Sequence, residues 1–321
     1  MPNSSTAQWP EHLAQACDLN SVPAGVVESL SKNLKIPLDI ARTLVAFYMP
    51  LAAYCAGHSG VDSPPFLLGV NGAQGTGKST AAQVVQALLQ TVYDKRVCAV
   101  SIDDLYLGRA ARQTLSAHIH PLLATRGVPG THDLPLALRL FKSLKESDAS
   151  TVTRIPRFNK ALDDCVAQSE WDCFTGKPDV IIFEGWCVGA RPQRAGDLQA
   201  PVNNLEAHED NDGAWRRYVN DCLRDYQLLF DQIDLLVMLK APSFDQVLEW
   251  RQLQEEKLRA SLSAEDLANS KVMSADEIGR FIAHYERLTR WMLGEMPARA
   301  DVLLTLGKDH QIATIKCQIS E

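Results

Sequence analysis

The stretch Gly72-Ala-Gln-Gly-Thr-Gly-Lys-Ser79 constrains this chain more than any other, because it fits GxxxxGK[ST] at every fixed position. An apolar run, Phe66-Leu-Leu-Gly-Val-Asn71, leads into it, and a helical pattern from Lys78 to Tyr93 leads out. Strand, loop and helix in that order form an anion cradle. Small residues let the backbone wrap closely, successive N–H groups turn inward, and the helix adds the positive end of its dipole. Gly72, Ala73, Gln74, Gly75, Thr76, Gly77, Lys78, Ser79 and Thr80 are therefore the expected contacts of ATP. Lys78 is placed to reach the β- and γ-phosphates, and the Ser79 hydroxyl to bind Mg²⁺.

The rest of the pattern supplies a sheet for that loop. Apolar runs without alternation at Val97–Ile102, Val180–Phe183, Ile233–Leu239 and Asp301–Leu306 read as strands covered on both faces. Helical stretches separate them. The expected fold is α/β, a P-loop NTPase-type parallel sheet of about five strands flanked by helices. Residues 11–57 have helical spacing and end in Gly57-His58-Ser59-Gly60 and Pro64-Pro65. This divides the chain into an N-terminal helical segment, 1–62, and a main domain, 63–321. The polar stretch Gly196–Gly213 reads as an exposed loop, and 243–268 and 275–294 as two helices charged on one face.

Composition narrows the partners. The formal net charge of −7 argues against a nucleic-acid binder with a basic surface. The apolar run Leu44–Ala56 contains Pro50 and is shorter than the ~20 residues that span a bilayer, and no secretory leader pattern opens the chain. Neither nucleic acid nor membrane is an expected partner. The 8 cysteines are scattered without a CxxC pair, which argues against zinc and for reduced thiols in a cytoplasmic setting. A guanine-reading NKxD is missing, since Asn159-Lys-Ala-Leu-Asp163 is one residue too long and follows no strand.

Acids stand where strands deliver residues to a ligand crevice. Ser101-Ile-Asp-Asp104 closes the second strand, so Asp103 or Asp104 faces the γ-phosphate and can orient a hydroxyl and accept its proton. Asp103 is favoured as the base. Glu184 ends the third strand as a Walker-B-type acid beside Mg²⁺. Cations follow in three groups. Arg126 and His132, in Arg126-Gly-Val-Pro-Gly-Thr-His-Asp133, are free to meet an anionic or hydroxylated ligand, while Asp133 can equally cap the next helix. Arg157 and Lys160 can clamp a carboxylate or simply solvate an edge strand. Arg251, Lys257 and Arg259 lie where a lid could close over phosphates, or on a wet helix face.

Taken together, Gly72 to Thr80, Ser101-Ile-Asp-Asp-Leu-Tyr106, Arg126 to Asp133, Pro156-Arg-Phe-Asn-Lys160, Phe183-Glu-Gly-Trp186 and Trp250 to Lys257 resemble, in order, the P-loop kinases grouped with phosphoribulokinase, uridine kinase and bacterial pantothenate kinase. Within that group the closest resemblance is to the D-glycerate 3-kinases of plants and fungi. The family pattern departs at Leu105, where it has Phe, and at Ala161, where a small hydroxyl residue is usual. The resemblance implies ATP- and Mg²⁺-dependent transfer to D-glycerate, giving 3-phosphoglycerate. Lys78, Asp103 and Glu184 then carry the chemistry, and Ser79 and Glu184 hold the metal. Asp104, Tyr106, Arg126, His132, Asp133, Arg157 and Lys160 become the substrate candidates. Two alternatives are a kinase of the same fold acting on a nucleoside, a pantothenate-like acid or a sugar phosphate, and a regulator that binds ATP without turnover. A metal-insertion GTPase is a weaker third.

Overall fold

A computed structural model describes residues 8–15, 17–60, 63–261 and 273–319. The strand that feeds the glycine loop, β1 (Phe66–Gly72), is buried at every position because it is the middle of the sheet. Strand β2 (Val97–Ser101) follows it in the chain but lies two places away. Two small hairpins come next, β3 (Val152–Ile155) with β6 (Asp172–Thr175), and β4 (Phe158–Asn159) with β5 (Asp164–Cys165). Strands β7 (Val180–Gly185), β8 (Leu235–Lys240), β9 (Val302–Leu306) and β10 (Ile312–Cys317) complete a six-stranded sheet in the order β10-β9-β8-β1-β7-β2. The five strands from β2 to β9 are parallel, as the unalternated apolar runs require.

The five parallel strands match the expected count, and a sixth joins them at the edge. β10 pairs antiparallel with β9 at the sheet edge, and its half-exposed IATIKC sequence lacks the solid apolar run of a central strand. The fourth and fifth strands also start later than expected, for a shared reason. Asp234 accepts the Leu67 N–H at 2.7 Å, and Asp301 accepts the Leu236 N–H at 2.6 Å. Each acid ties the foot of its own strand to its neighbour and satisfies a donor that has no ladder partner.

Both faces of the sheet are covered. On one lie α2 (Ala24–Leu34), α3 (Leu38–His58) and α4 (Lys78–Thr91), whose Leu30, Val45, Tyr48, Val84 and Leu88 share a core with Leu68 and Val70. The N-terminal segment is thus a layer on the sheet. Helix α3, 21 residues containing Pro50, is long and apolar enough to cross a membrane by length and composition, which the run Leu44–Ala56 alone did not suggest. Half of its most apolar window is buried inside the protein. On the other face, α6 (Leu134–Glu146), α8 (Ala214–Phe230) and α10 (Ala275–Glu295) pack Phe141, Leu223, Tyr226 and Leu288 against Ile181 and Phe183. Between α6 and α8 in the chain runs α7 (Asn204–Glu209), α9 (Phe244–Ser261) precedes α10, and the shorter α1 (Glu11–Gln15) and α5 (Arg109–His118) precede α2 and α6. The expected extension of α9 to Ala268 and the boundary at residue 62 fall outside the described residues.

The stretch 196–213 is not a loop throughout. It holds a turn at Ala195–Leu198 and α7, and two of its acids, Glu206 and Asp210, are buried, while Asp197, Glu209 and Asp212 are exposed. Glu206 grips Arg287 with oxygens at 2.7 and 2.6 Å, and Asp210 meets Arg216 at 3.0 Å. Part of the acidity that suggested solvent serves as counter-charge for two buried arginines, Arg216 on the next helix and Arg287 81 residues away.

Candidate active site

The glycine loop folds as its sequence requires. Gly75 and Gly77 take φ of 82° and 85°, the left-handed region that side chains avoid. A Cβ on Gly75 would also lie 2.9 Å from the Trp250 Cβ. Thr76 folds under the loop, donating its hydroxyl to Ala73 O at 2.8 Å, and both are buried beneath the surface that a phosphate would touch. Helix α4 opens at Lys78 with no side-chain cap, which leaves its first N–H groups for an anion. Gln74, Gly75, Gly77, Lys78, Ser79 and Thr80 line one wall of a cleft of about 480 Å³.

The two strand-end acids enter from neighbouring strands. After β2 the chain makes a tight turn, Ile102–Leu105, which buries Ile102 and Leu105 and sends the two aspartates in different directions. Asp103 lines the cleft. Asp104 does not; it holds Arg157 at 2.7 Å and accepts the Phe158 N–H at 3.2 Å. Asp103 Oδ1 accepts the Tyr106 hydroxyl at 2.8 Å, and Oδ2 meets the Lys160 ammonium at 2.6 Å. Burial alone would raise the Asp103 carboxyl, but the charges of Lys160 and Lys78 and the two hydrogen bonds outweigh it and hold the group at about 2.

On β7, Glu184 Oε1 accepts the Ser79 hydroxyl at 3.1 Å, and its Oε2 is buried with no hydrogen-bond partner among the described residues. A hydroxyl and a half-satisfied carboxylate side by side at a phosphate cradle are the oxygen donors that Mg²⁺ takes. The residues present fit that ion.

The remaining expected residues divide. Tyr106, Arg126, Lys160 and Arg251 line the cleft with Asp103. Arg126 lies over Phe158, 5.6 Å from the ring centroid, and pairs with Asp163. His132 lies beneath Tyr106, stacked at 4.6 Å, with Nδ1 2.8 Å from the Tyr226 hydroxyl. Burial pushes its ring down to about 4, so it is neutral at pH 7. Five expectations are corrected. His132 is buried and does not line the cleft, so it is not free to meet a ligand, and Asp104, already described, stays out of the cleft as well. Asp133 accepts the Leu136 N–H at 2.8 Å and caps α6, away from the cleft. Arg157 is held between Asp104 and Asp172, and with Asp104 it braces a hairpin instead of meeting a ligand. Arg259 reaches Met273 O at 3.2 Å, outside the cleft. Of the two described lid candidates, Arg251 reaches the cleft, and there it pairs with buried Glu255 at 2.6 Å. The Lys257 side chain lies outside the described residues.

Four further residues, none named as a site candidate, line the far wall of the cleft: Trp186 and Gln254, which lie in the Phe183–Trp186 and Trp250–Lys257 strings, and Phe281 and Tyr285, which lie in none. Trp186 donates Nε1 to Gly127 O at 2.9 Å, and the Tyr285 hydroxyl donates to Arg126 O at 3.1 Å. Gly127 is required there, since a Cβ would lie 2.1 Å from the Tyr285 oxygen. Buried Arg112 bonds Leu107 O, Ala124 O and Asp163 O at 3.0, 2.9 and 2.7 Å, which fixes the hairpin that carries Lys160. Strand alternation offers a signal for Trp186, two residues beyond Glu184. Nothing local marks the helix-borne Phe281 and Tyr285.

No family model matches the chain. The kinase mug58 of Schizosaccharomyces pombe is 33% identical over 231 residues, 70% of this chain and 79% of that protein. The chloroplastic D-glycerate 3-kinase of Arabidopsis thaliana is 30% identical over 276 residues, 79% of this chain; the match spans 55% of that longer protein. Among solved structures, a D-glycerate 3-kinase from Cryptococcus neoformans superposes with a TM-score of 0.67 at 23% identity, covering 92% of this chain and 100% of that one. The last likeness fixes the fold.

Proposed function

This chain belongs to the family of P-loop kinases that includes mug58 and the D-glycerate 3-kinases, and from that premise we propose that its reaction is ATP + D-glycerate → ADP + 3-phosphoglycerate. It is an ATP-dependent small-molecule kinase; the acceptor, the metal and the residue roles are the proposal. One observation carries it. Asp103, Lys78 and Ser79 line a single cleft with Arg126 and Lys160, so a base, a phosphate cradle and two cations converge where a small hydroxy acid fits.

In this reading Lys78 and the loop N–H groups hold the β- and γ-phosphates. Ser79 and Glu184 hold Mg²⁺, which when bound neutralises charge on the phosphate oxygens. Arg126 and Lys160 take the acceptor carboxylate, and Asp103 aligns its hydroxyl. The hydroxyl oxygen bonds to the γ-phosphorus, the bond to the β–γ bridging oxygen breaks, and the hydroxyl proton passes to Asp103. A weak base suffices, because a loose phosphoryl-transfer transition state needs the nucleophile positioned more than deprotonated early. Trp186, Phe281 and Tyr285 keep water from the γ-phosphate. The reading includes a cytoplasmic setting, residues 1–62 as a helical layer on a kinase domain, and neither nucleic acid nor membrane as partner.

The test is ADP release by purified protein with ATP and Mg²⁺ against a panel of acceptors: D-glycerate, L-glycerate, pantothenate, uridine, a pentose phosphate and none. D-glycerate is expected to give the highest kcat/KM. A preference for another acceptor reassigns the substrate within the kinase class. ATP binding with no turnover on any acceptor supports the regulator.

A further inference from the structure

Lys160 occupies an unusual position for a substrate-binding cation. Its ammonium sits 2.6 Å from Asp103 Oδ2, within the space a hydroxyl proton must cross to reach that oxygen, while Tyr106 engages Oδ1. The turn that bears Lys160 joins β4 to β5 and is anchored on both sides. Asp163 in the same turn holds buried Arg112 at 2.9 Å and also pairs with Arg126, while Arg157 at the other flank is pinned by Asp104 and Asp172. The Lys160 side chain itself is 60% exposed, a flexible stem reaching from a fixed base. Such an arm moves at little cost when a second anion competes for its charge.

We propose that Lys160 is a carboxylate-operated gate: it shields Asp103 in the absence of acceptor and releases it when the acceptor's carboxylate draws the ammonium away. This rests on the reading of Asp103 as the group that receives the acceptor's proton. The gate gives the cleft two properties. Water is poorly activated while ATP waits, because the path for its proton is filled. Neutral polyols are rejected even when their hydroxyls fit, because they have no charge with which to move the arm. Withdrawal of Lys160 also removes one of the charges that hold the Asp103 carboxyl low, so the base strengthens as it is uncovered.

The experiment measures phosphate release from ATP by the full chain with Mg²⁺, in three conditions: no additive, D-lactate and glycerol. D-lactate has the carboxylate but no hydroxyl at C3, and glycerol the reverse. In hydrolysis the water oxygen bonds to the γ-phosphorus, the bond to the β–γ bridging oxygen breaks, and the water proton passes to Asp103. For the native protein, D-lactate is expected to raise hydrolysis on the order of 10-fold, the size of a lost charge-assisted contact, and glycerol to leave it unchanged. Lys160→Met is expected to hydrolyse ATP about 10-fold faster than the native protein with no acid present, with D-lactate adding nothing; Lys160→Arg retains the stimulation. Hydrolysis by Lys160→Met at or below the native rate, stimulation that persists in that variant, or a native protein indifferent to D-lactate each overturns the gate. Loss of ATP binding in Lys160→Met, read by calorimetry, also overturns it, because the lysine then serves the nucleotide. Adding Asp103→Asn to Lys160→Met should abolish the excess hydrolysis. Excess hydrolysis that survives in the double variant rejects Asp103 as the proton acceptor and overturns the gate with it, whereas the results above overturn the gate alone.

Discussion

Glu206→Gln tests whether the acidic stretch before α8 is structural. Glu206 is wholly buried and accepts Arg287 Nε at 2.7 Å, Arg287 Nη2 at 2.6 Å and the Val202 N–H at 2.9 Å. A glutamine keeps the shape and can still accept from Val202. It turns an amide N–H₂ toward the guanidinium, however, and leaves a buried cation without its counter-charge. Arg287 retains two carbonyls, Asp197 O at 2.9 Å and Ala200 O at 2.6 Å, which solvate the cation without neutralising it. Breaking one half of such a pair costs about 3–5 kcal/mol. In a chain of this size that lowers Tm by about 4–7 °C, measurable by calorimetry or urea unfolding. The pair seats α7 against α10, the helix that carries Phe281 and Tyr285 into the cleft, so the acceptor KM should rise as well. Replacing both partners, Glu206→Leu with Arg287→Met, should cost less than the single change. A Glu206→Gln protein within about 1 kcal/mol of native, or a double variant worse than the single, would refute the reasoning.

Three further outcomes follow from the geometry. Gly75→Ala forces a side chain into φ of 82° and against the Trp250 Cβ, and should weaken ATP binding about tenfold by titration calorimetry; unchanged affinity contradicts the cradle. Asp133→Ala should cost about 1 kcal/mol in unfolding free energy by loss of the α6 cap and leave the acceptor KM unchanged; a raised KM returns Asp133 to the cleft. His132 titrates at about 4 in the fold, below its unfolded value near 6.5, so the unfolded chain takes up a proton that the native ring refuses. Stability on its account is therefore full above pH ~6.5 and lost as pH falls toward 4, and His132→Phe should shrink that slope by about one proton; an unaltered slope would show the ring is not held neutral.

The phosphate loop, Asp103 and Glu184 were legible because each is written locally, as an apolar strand running into the residue that its C-terminal end presents. The strand-end argument favoured Asp103 without separating it from Asp104; it is the turn burying Ile102 and Leu105 that leaves Asp103 alone of the two lining the cleft. Charge was less informative. Asp133 is a local cap that the sequence offered as one of two readings, whereas Arg157, Asp104 and Glu206 are as polar as true ligands yet are engaged in bracing or pairing whose partners lie elsewhere in the chain. Local sequence cannot show which charge is already satisfied. The far wall was illegible for a different reason, since Phe281 and Tyr285 reach the cleft only because α10 folds back beside the β7 end of the sheet. β10 escaped notice because an edge strand needs no continuous apolar run.

The most direct measurement of the central claim is kcat for Asp103→Asn with ATP, Mg²⁺ and D-glycerate, alongside ATP affinity by calorimetry. The account predicts a loss on the order of 10²–10⁴ in kcat with nucleotide binding retained. A variant that transfers phosphate at close to the native rate would contradict it.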